Sequence, residues 1–192
     1  MTVLNVAMIG TDELAREIAK PSDQRDVHTY VFKEQSTSGD ARLISIIRPA
    51  KFPERLPPLL AALNVGRAGI LEVNKVDGEF GEAVVAFASA GIDSGIVVVN
   101  PPDGEWVDEA QVKMMVKQAG LDNWIFVDND GIGLRNKLYE IMDEIADRLQ
   151  SDAESALVVP VDQHFNVKGI GLVAIGYVQS GILNVHDELF LL

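Results

Sequence analysis

Five short apolar runs rich in Val and Ile recur along the chain: VLNVAMIG (3–10), ARLISII (41–47), AGILEV (68–73), GIVVVN (95–100) and NWIFVD (123–128). Runs of this length and composition predict strands buried on both faces. Helical patterns sit between them. Segment 79–91 ends at Gly91 and segment 108–120 ends at Gly120, each glycine placed as a helix C-cap. Over 133–150, Leu134, Leu138, Ile141, Ile145 and Leu149 recur every three or four residues, which predicts one apolar face packed on a core. Alternating strands and helices predict an α/β domain built on a doubly wound, mostly parallel sheet over 1–150.

After a polar linker, QSDAES (150–155), the pattern changes. LVVPVDQHF, GLVAIGYVQ and DELFLL are strand-like runs separated by turns bearing Gly and Asn, so residues 156–192 read as all-β. Three strands cannot close a barrel, and they would leave an apolar edge. That edge predicts pairing with a second copy, docking on the first domain, or a polypeptide that continues beyond ELFLL, the last being the simplest explanation.

Composition narrows the function classes. Sixteen Lys and Arg against 29 Asp and Glu give a net charge of −13, which opposes binding to phosphate backbones and anionic membranes. No cysteine is present, which excludes disulfides, thiol nucleophiles and Cys-ligated zinc. His28, His164 and His186 are too scattered to suggest a metal site. The N-terminal run meets Asp12 and Glu13 within a dozen residues and lacks a basic start, so it reads as a strand and not a signal peptide. No run approaches membrane-spanning length, and the expected location is the cytoplasm.

In a doubly wound sheet, ligands sit at the carboxyl ends of the strands. The first run ends in Gly10 and continues GTDELARE. A phosphate-binding GxxxxGKS or GxxxxGKT loop needs a second glycine, a lysine and a hydroxyl, and here those positions hold Ala15, Arg16 and Glu17. Ala15 restricts a turn that needs positive φ, Arg16 trades a compact ammonium for a planar fork, and Glu17 would repel phosphates. A second candidate is NKVD (74–77), which spells a guanine-reading tetrapeptide after an apolar run. It also fits a polar turn after a buried strand, with Lys75 and Asp77 in solvent.

The tail PVDQHFNVKGIGLVAIGYVQSGILNVHDELFLL (160–192) resembles the opening of the second, β-barrel domain of elongation factor Tu and SelB-type translational GTPases, and VGRAGILEVNKVDGEFGE (65–82) resembles a strand followed by a GEFGE-like helix start in the same families. The resemblance spans nearly the whole chain and is similar in character to the SelB-like subgroup that includes EF-Pyl, with its eroded phosphate loop and short first switch. It implies a P-loop-NTPase-like domain followed by the start of an elongation-factor domain 2 barrel. It also implies that the guanine motif belongs one strand later than NKVD, at Asn100 and Asp103, with Pro101 in place of the lysine. Gly10, Thr11, Arg16, Asn100 and Asp103 are then a degenerate nucleotide site for weak GTP or GDP, or for none.

The other family motifs are absent. The DxxGH segment aligns with Arg48, Pro49, Ala50, Lys51 and Phe52, and keeps neither the magnesium-holding Asp nor the water-positioning His. The SA motif is replaced by Asp128 and Asn129, with Gly131 and Gly133 keeping only the turn, and the first switch, between Lys20 and Val27, spans about half a dozen residues. No catalytic residue and no metal ligand set remain. Arg48, Lys51 and Arg55 could bind an anion or RNA phosphate, or could be a solvated loop. Trp106 and Trp124 are expected to be partly buried. Three functions stay open: a SelB-like homologue acting around translation without GTP hydrolysis, an active GTP-binding factor that delivers a tRNA to the ribosome, and a structural or oligomeric interaction protein. The first accounts best for the joint loss of motifs. Its partners would be the ribosome, tRNA or translation proteins.

Overall fold

The structure, a computed structural model, describes residues 2–35, 41–151 and 155–190. It divides into two compact units, Met1–Met142 and Asp143–Leu192. The first begins β1 (Thr2–Ile9), α1 (Asp12–Ile18), β2 (Lys20–Gln24), β3 (Val27–Gln35), β4 (Ala41–Pro49), α2 (Leu56–Val65) and β5 (Ala68–Val73). It continues with α3 (Gly78–Ser89), β6 (Gly95–Val99), α4 (Glu109–Gln118), β7 (Ile125–Phe126) and α5 (Gly131–Ser151), whose last turns run into the second unit. The strands form one sheet in the order β2-β3-β4-β1-β5-β6-β7. β4, β1, β5, β6 and β7 are parallel neighbours, and β2 and β3 extend the sheet as an antiparallel hairpin.

The α/β doubly wound fold is as the pattern predicted, and alternation along each strand explains its two layers. Along β1, Ala7 and Ile9 join a core with Leu59 and Leu63 of α2, Phe80 and Phe87 of α3, and Val112 and Val116 of α4. Leu4, Val6 and Met8 are equally buried but alternate to the opposite face. There, Leu14 and Ile18 of α1 and Leu134 and Leu138 of α5 are buried. α5 is fixed on that side by Arg135, which stacks over the Phe32 ring at 4.5 Å and donates to the Ile18 carbonyl at 3.4 Å. Arg42 similarly lies over Tyr139, 4.4 Å from the ring centre. Gly91 and Gly120 hold positive φ. Ile92 N–H donates to the Phe87 carbonyl and Leu121 N–H to the Val116 carbonyl, closing α3 and α4 as the glycines forecast.

The structure differs from the sequence-based expectations at several points. α1, β2, β3 and α2 fill stretches that carried no assigned element, and the supposed short switch between Lys20 and Val27 is strand β2 plus a tight turn. The predicted strand 123–128 shrinks to Ile125–Phe126 because Trp124 leaves the strand line to become a core side chain, 5% exposed. Its indole lies across Gly69 and Gly95, a register pair on β5 and β6; a Cβ on either would come within 2.3 and 2.5 Å of the ring. Its Nε1 donates to the Ile92 carbonyl at 2.9 Å, and its ring meets Phe87 edge-on at 4.8 Å. Trp106, by contrast, is 80% exposed and not partly buried, because it lies in the loop after β6 with no element over it.

The second unit contains β8 (Val161–Val167) and β9 (Gly171–Gly176), an antiparallel hairpin, with a further bridge between Val158 and Ser180. After the end of α5, the regular elements among the described residues 155–190 are these strands. The described residues of the DELFLL run, 187–190, form no strand because no ladder partner is placed beside them; Leu191 and Leu192 lie outside the described residues, as do positions 152–154 of the linker. No helix among the described residues is long and apolar enough to cross a membrane.

The glycine slot gives a stability prediction. Gly95→Ala forces the indole out of its bed and is expected to cost about 1 to 3 kcal/mol. Gly81→Ala, inside α3 with open space around it, is expected to stabilise by about 0.5 to 1 kcal/mol. Urea denaturation of the two variants beside the parent chain measures both.

Candidate functional site

The carboxyl ends of β1, β4, β5 and β6 come together around Gly10 and Thr11. α1 begins here because Thr11 caps it: the Thr11 hydroxyl accepts from Leu14 N–H at 3.2 Å. The site is filled by a side chain from the middle of the sheet. Glu72, the fifth residue of β5, is only 7% exposed. Its Oε2 accepts from the Thr11 backbone N–H at 2.6 Å and from the Thr11 hydroxyl at 2.7 Å. Its Oε1 accepts from Asn100 Nδ2 at 2.8 Å, just past the end of β6. A buried carboxylate is tolerated only when its oxygens are hydrogen-bonded, and these three donors meet that need.

Gly10 is required by the same carboxylate. A Cβ there would sit 2.8 Å from Glu72 Cβ and 2.9 Å from Oε2. The Gly10 carbonyl accepts from Arg48 Nε at 2.6 Å, so Arg48, at the end of β4, ties that strand to β1. Arg48 is therefore not part of a solvated cationic loop. Arg55 pairs with Asp26 at 3.0 Å, and Lys51 is left exposed. Two of the three cations thus have partners within the domain.

Beside this network, Asp12 accepts from the Tyr30 hydroxyl of β3 and from Arg16 one helical turn on. Arg16, and then Tyr30, hold Asp12 below the ordinary carboxylate range. Burial, and then the bond to Asp12, push Tyr30 up to about 12. Arg16 thus lies along α1, paired with Asp12.

The predicted site residues are only partly brought together. Gly10, Thr11 and Asn100 converge, linked through Glu72. Asp103 is exposed on the turn that ends at Gly104, and Glu105 N–H donates to the Pro102 carbonyl across it. NKVD is a polar turn after β5 with Lys75 in solvent, as one of its two readings had it, but Asp77 is only part-exposed. Asp77 caps α3, accepting from Phe80 N–H at 3.1 Å, and pairs with Lys75 at 2.8 Å. Asp130 caps α5 by accepting from Ile132 and Gly133 N–H. Gly131 does more than turn the chain, because a Cβ there would stand 2.5 Å from the Glu17 carbonyl. Glu17 itself is exposed, so the carboxylate at the phosphate-type turn is Glu72 and not Glu17. Sequence reasoning passed over Glu72, although a lone acid inside the apolar run AGILEV was its signal.

A doubly wound sheet with a helix opening directly off β1, and side chains converging on that turn from β4, β5 and β6, defines a P-loop-NTPase-like domain. The comparisons refine this class to the fold of the elongation-factor-Tu-like translational GTPases. A bacterial selenocysteine-specific elongation factor matches with a TM-score of 0.56 at 18% identity, covering 94% of this chain and 35% of that one. SelB of Methanococcus maripaludis, solved in complex with the GTP analogue GPPNHP, matches with a TM-score of 0.57 at 18% identity, covering 97% and 44%. In sequence, an uncharacterized protein of Methanocaldococcus jannaschii is 28% identical over 190 residues, 98% of this chain and 57% of that protein. The selenocysteine-specific elongation factor of the same organism is 26% identical over 168 residues, 80% and 35%. The chain thus spans little more than half, and about a third, of the curated relatives it matches. No protein-family model matches it.

Glu72→Ala strips the acceptors from three donors and is expected to destabilise the domain by about 2 to 3 kcal/mol, read by urea denaturation. A tyrosine whose folded pKa lies above its unfolded value near 10 contributes its stability in full below pH 10 and loses it as pH rises through the folded pKa. Tyr139 shares the window, raised to about 12 by burial and then by the Glu34 charge. Stability is therefore expected to fall between pH 10 and 12 by roughly 2 to 3 kcal/mol for each tyrosine. Tyr30→Phe should remove its share of that fall and leave the Tyr139 share.

Proposed function

We propose that this chain is a SelB-like, elongation-factor-Tu-related translation-factor homologue acting as a pseudo-GTPase, in or around translation and without GTP hydrolysis. One observation carries the reading: the Glu72 carboxylate takes the Thr11 and Asn100 donors at the turn where a P-loop domain would hold phosphate. An incoming phosphate would have to displace it or lie against it. Two unit charges about 4 Å apart repel by roughly 4 kcal/mol at an effective dielectric of about 20, close to a thousandfold in affinity. Asp12 and Glu13 in the first turn of α1 add to the same repulsion.

The motif losses support the same reading. Arg48 stands at the DxxGH aspartate position and is committed to the Gly10 carbonyl, and Asp103 is exposed on the turn ending at Gly104 while Asn100 is bound to Glu72. The eroded turn and the closed β2–β3 hairpin, in place of a long effector loop, fit the EF-Pyl-like subgroup. The fitting partners are tRNA, the ribosome or a translation protein met in the cytoplasm. A net charge of −13 favours a basic protein surface over a bare phosphate backbone. Self-association through the apolar β hairpin is an added route to assembly, since Phe165, Leu172 and Ile175 on it are exposed.

Calorimetric titration of the folded chain with GTP and GDP, with magnesium and at two salt concentrations, tests the reading. No binding heat is expected. Micromolar, guanine-specific binding that disappears in Asp103→Ala would overturn it in favour of an active GTP-dependent elongation factor.

A further inference from the structure

We propose that Glu72 is the built-in ligand of this domain: its carboxylate occupies the Thr11–Asn100 donor set as a bound anion would, and so fixes the ends of β1, β5 and β6 in one arrangement that does not depend on nucleotide. The inference rests on the pseudo-GTPase reading and adds to it the group that closes the site and the loss of nucleotide control. Three features carry it. The carboxylate is held by a backbone N–H, a hydroxyl and a carboxamide on two different segments, at 2.6, 2.7 and 2.8 Å. The wall of the site is shaped to it, since any side chain at position 10 would overlap Glu72. And the clasp is cross-linked, because the Thr11 hydroxyl both donates to Glu72 and accepts from Leu14 N–H, which joins the carboxylate to the first turn of α1.

A switch domain changes state because its ligand binds one arrangement better than another. Here the ligand is covalently part of β5, and its effective concentration cannot change. The arrangement at this turn is therefore constant, and affinity for a partner does not depend on whether GTP or GDP is present.

Removing the side chain should turn the internal ligand into an external one. In Glu72→Ala, the Thr11 N–H and hydroxyl and the Asn100 carboxamide face a space the size of a small carboxylate. Formate is the probe. Thermal denaturation of the full chain with formate, against chloride at the same ionic strength, should raise the Tm of Glu72→Ala by roughly 3 to 6 °C once formate reaches about ten times its Kd. The parent chain should not respond, and Glu72→Ala combined with Thr11→Val should lose the response. A folded Glu72→Ala chain that formate stabilises no more than the parent overturns the proposal. If Glu72→Ala does not fold, amide hydrogen exchange of the parent chain decides: Thr11 N–H must be protected to the level of the sheet interior, with or without GTP and magnesium, and exchange at the rate of an open turn overturns the proposal. The nucleotide titration of the parent chain is read separately, so failure of the pseudo-GTPase reading is distinguishable from failure of the internal-ligand inference.

Discussion

A carboxylate in the interior of a parallel sheet is the constraint around which this domain is arranged. Glu72 is the one acidic residue of β5, in a strand buried along its whole length. Left unpaired there, a charged group costs several kcal/mol, a large share of the roughly 5 to 15 kcal/mol a folded domain has in reserve. The protein meets the requirement with donors from both neighbouring strand ends, Thr11 after β1 and Asn100 after β6. The charge is accommodated at the place where doubly wound sheets ordinarily present donors to a ligand.

Much of the surrounding detail is a consequence of that placement. Gly10 has no side chain because Glu72 leaves no room for one. Thr11 serves at once as helix cap and as donor. Arg48 takes the Gly10 carbonyl and thereby binds β4 to the same turn. Asp12 and Tyr30 fasten α1 to β3, on the side where α5 also packs. On the opposite face, α2, α3 and α4 rest on a wholly apolar layer, and Trp124 lies in a slot made by two glycines. One face is ordinary hydrophobic packing, and the polar clasp sits at the end of the other.

The elements legible in the sequence were those whose pattern is enforced by burial on both faces or by a single long apolar stripe. The runs at 68–73 and 95–100 became β5 and β6 almost residue for residue, and Gly91 and Gly120 closed their helices. Strand β2 was not legible because its residues, KPSDQ, are polar and mostly exposed, so nothing in their periodicity separates strand from loop. α1 has only seven residues, too few for a helical period to show. Of the three strand-like runs expected in 156–192, the DELFLL run forms no strand in its described residues 187–190, since its apolar residues have no partner strand to order them.

The site was half legible. Gly10, Thr11 and Asn100 were singled out from motif positions, and they do converge. Their common partner was hidden inside a run read as apolar, and only the strand register, which aims Glu72 away from the Leu71 and Val73 face, brings it to them. The most direct test of a carboxylate-closed site is a crystal structure of the parent chain grown with GTP and magnesium. Glu72 Oε2 is expected within hydrogen-bonding distance of the Thr11 N–H and hydroxyl, with no phosphate at that turn. A phosphate bound by Thr11 N–H, with the Glu72 side chain swung away, would contradict it.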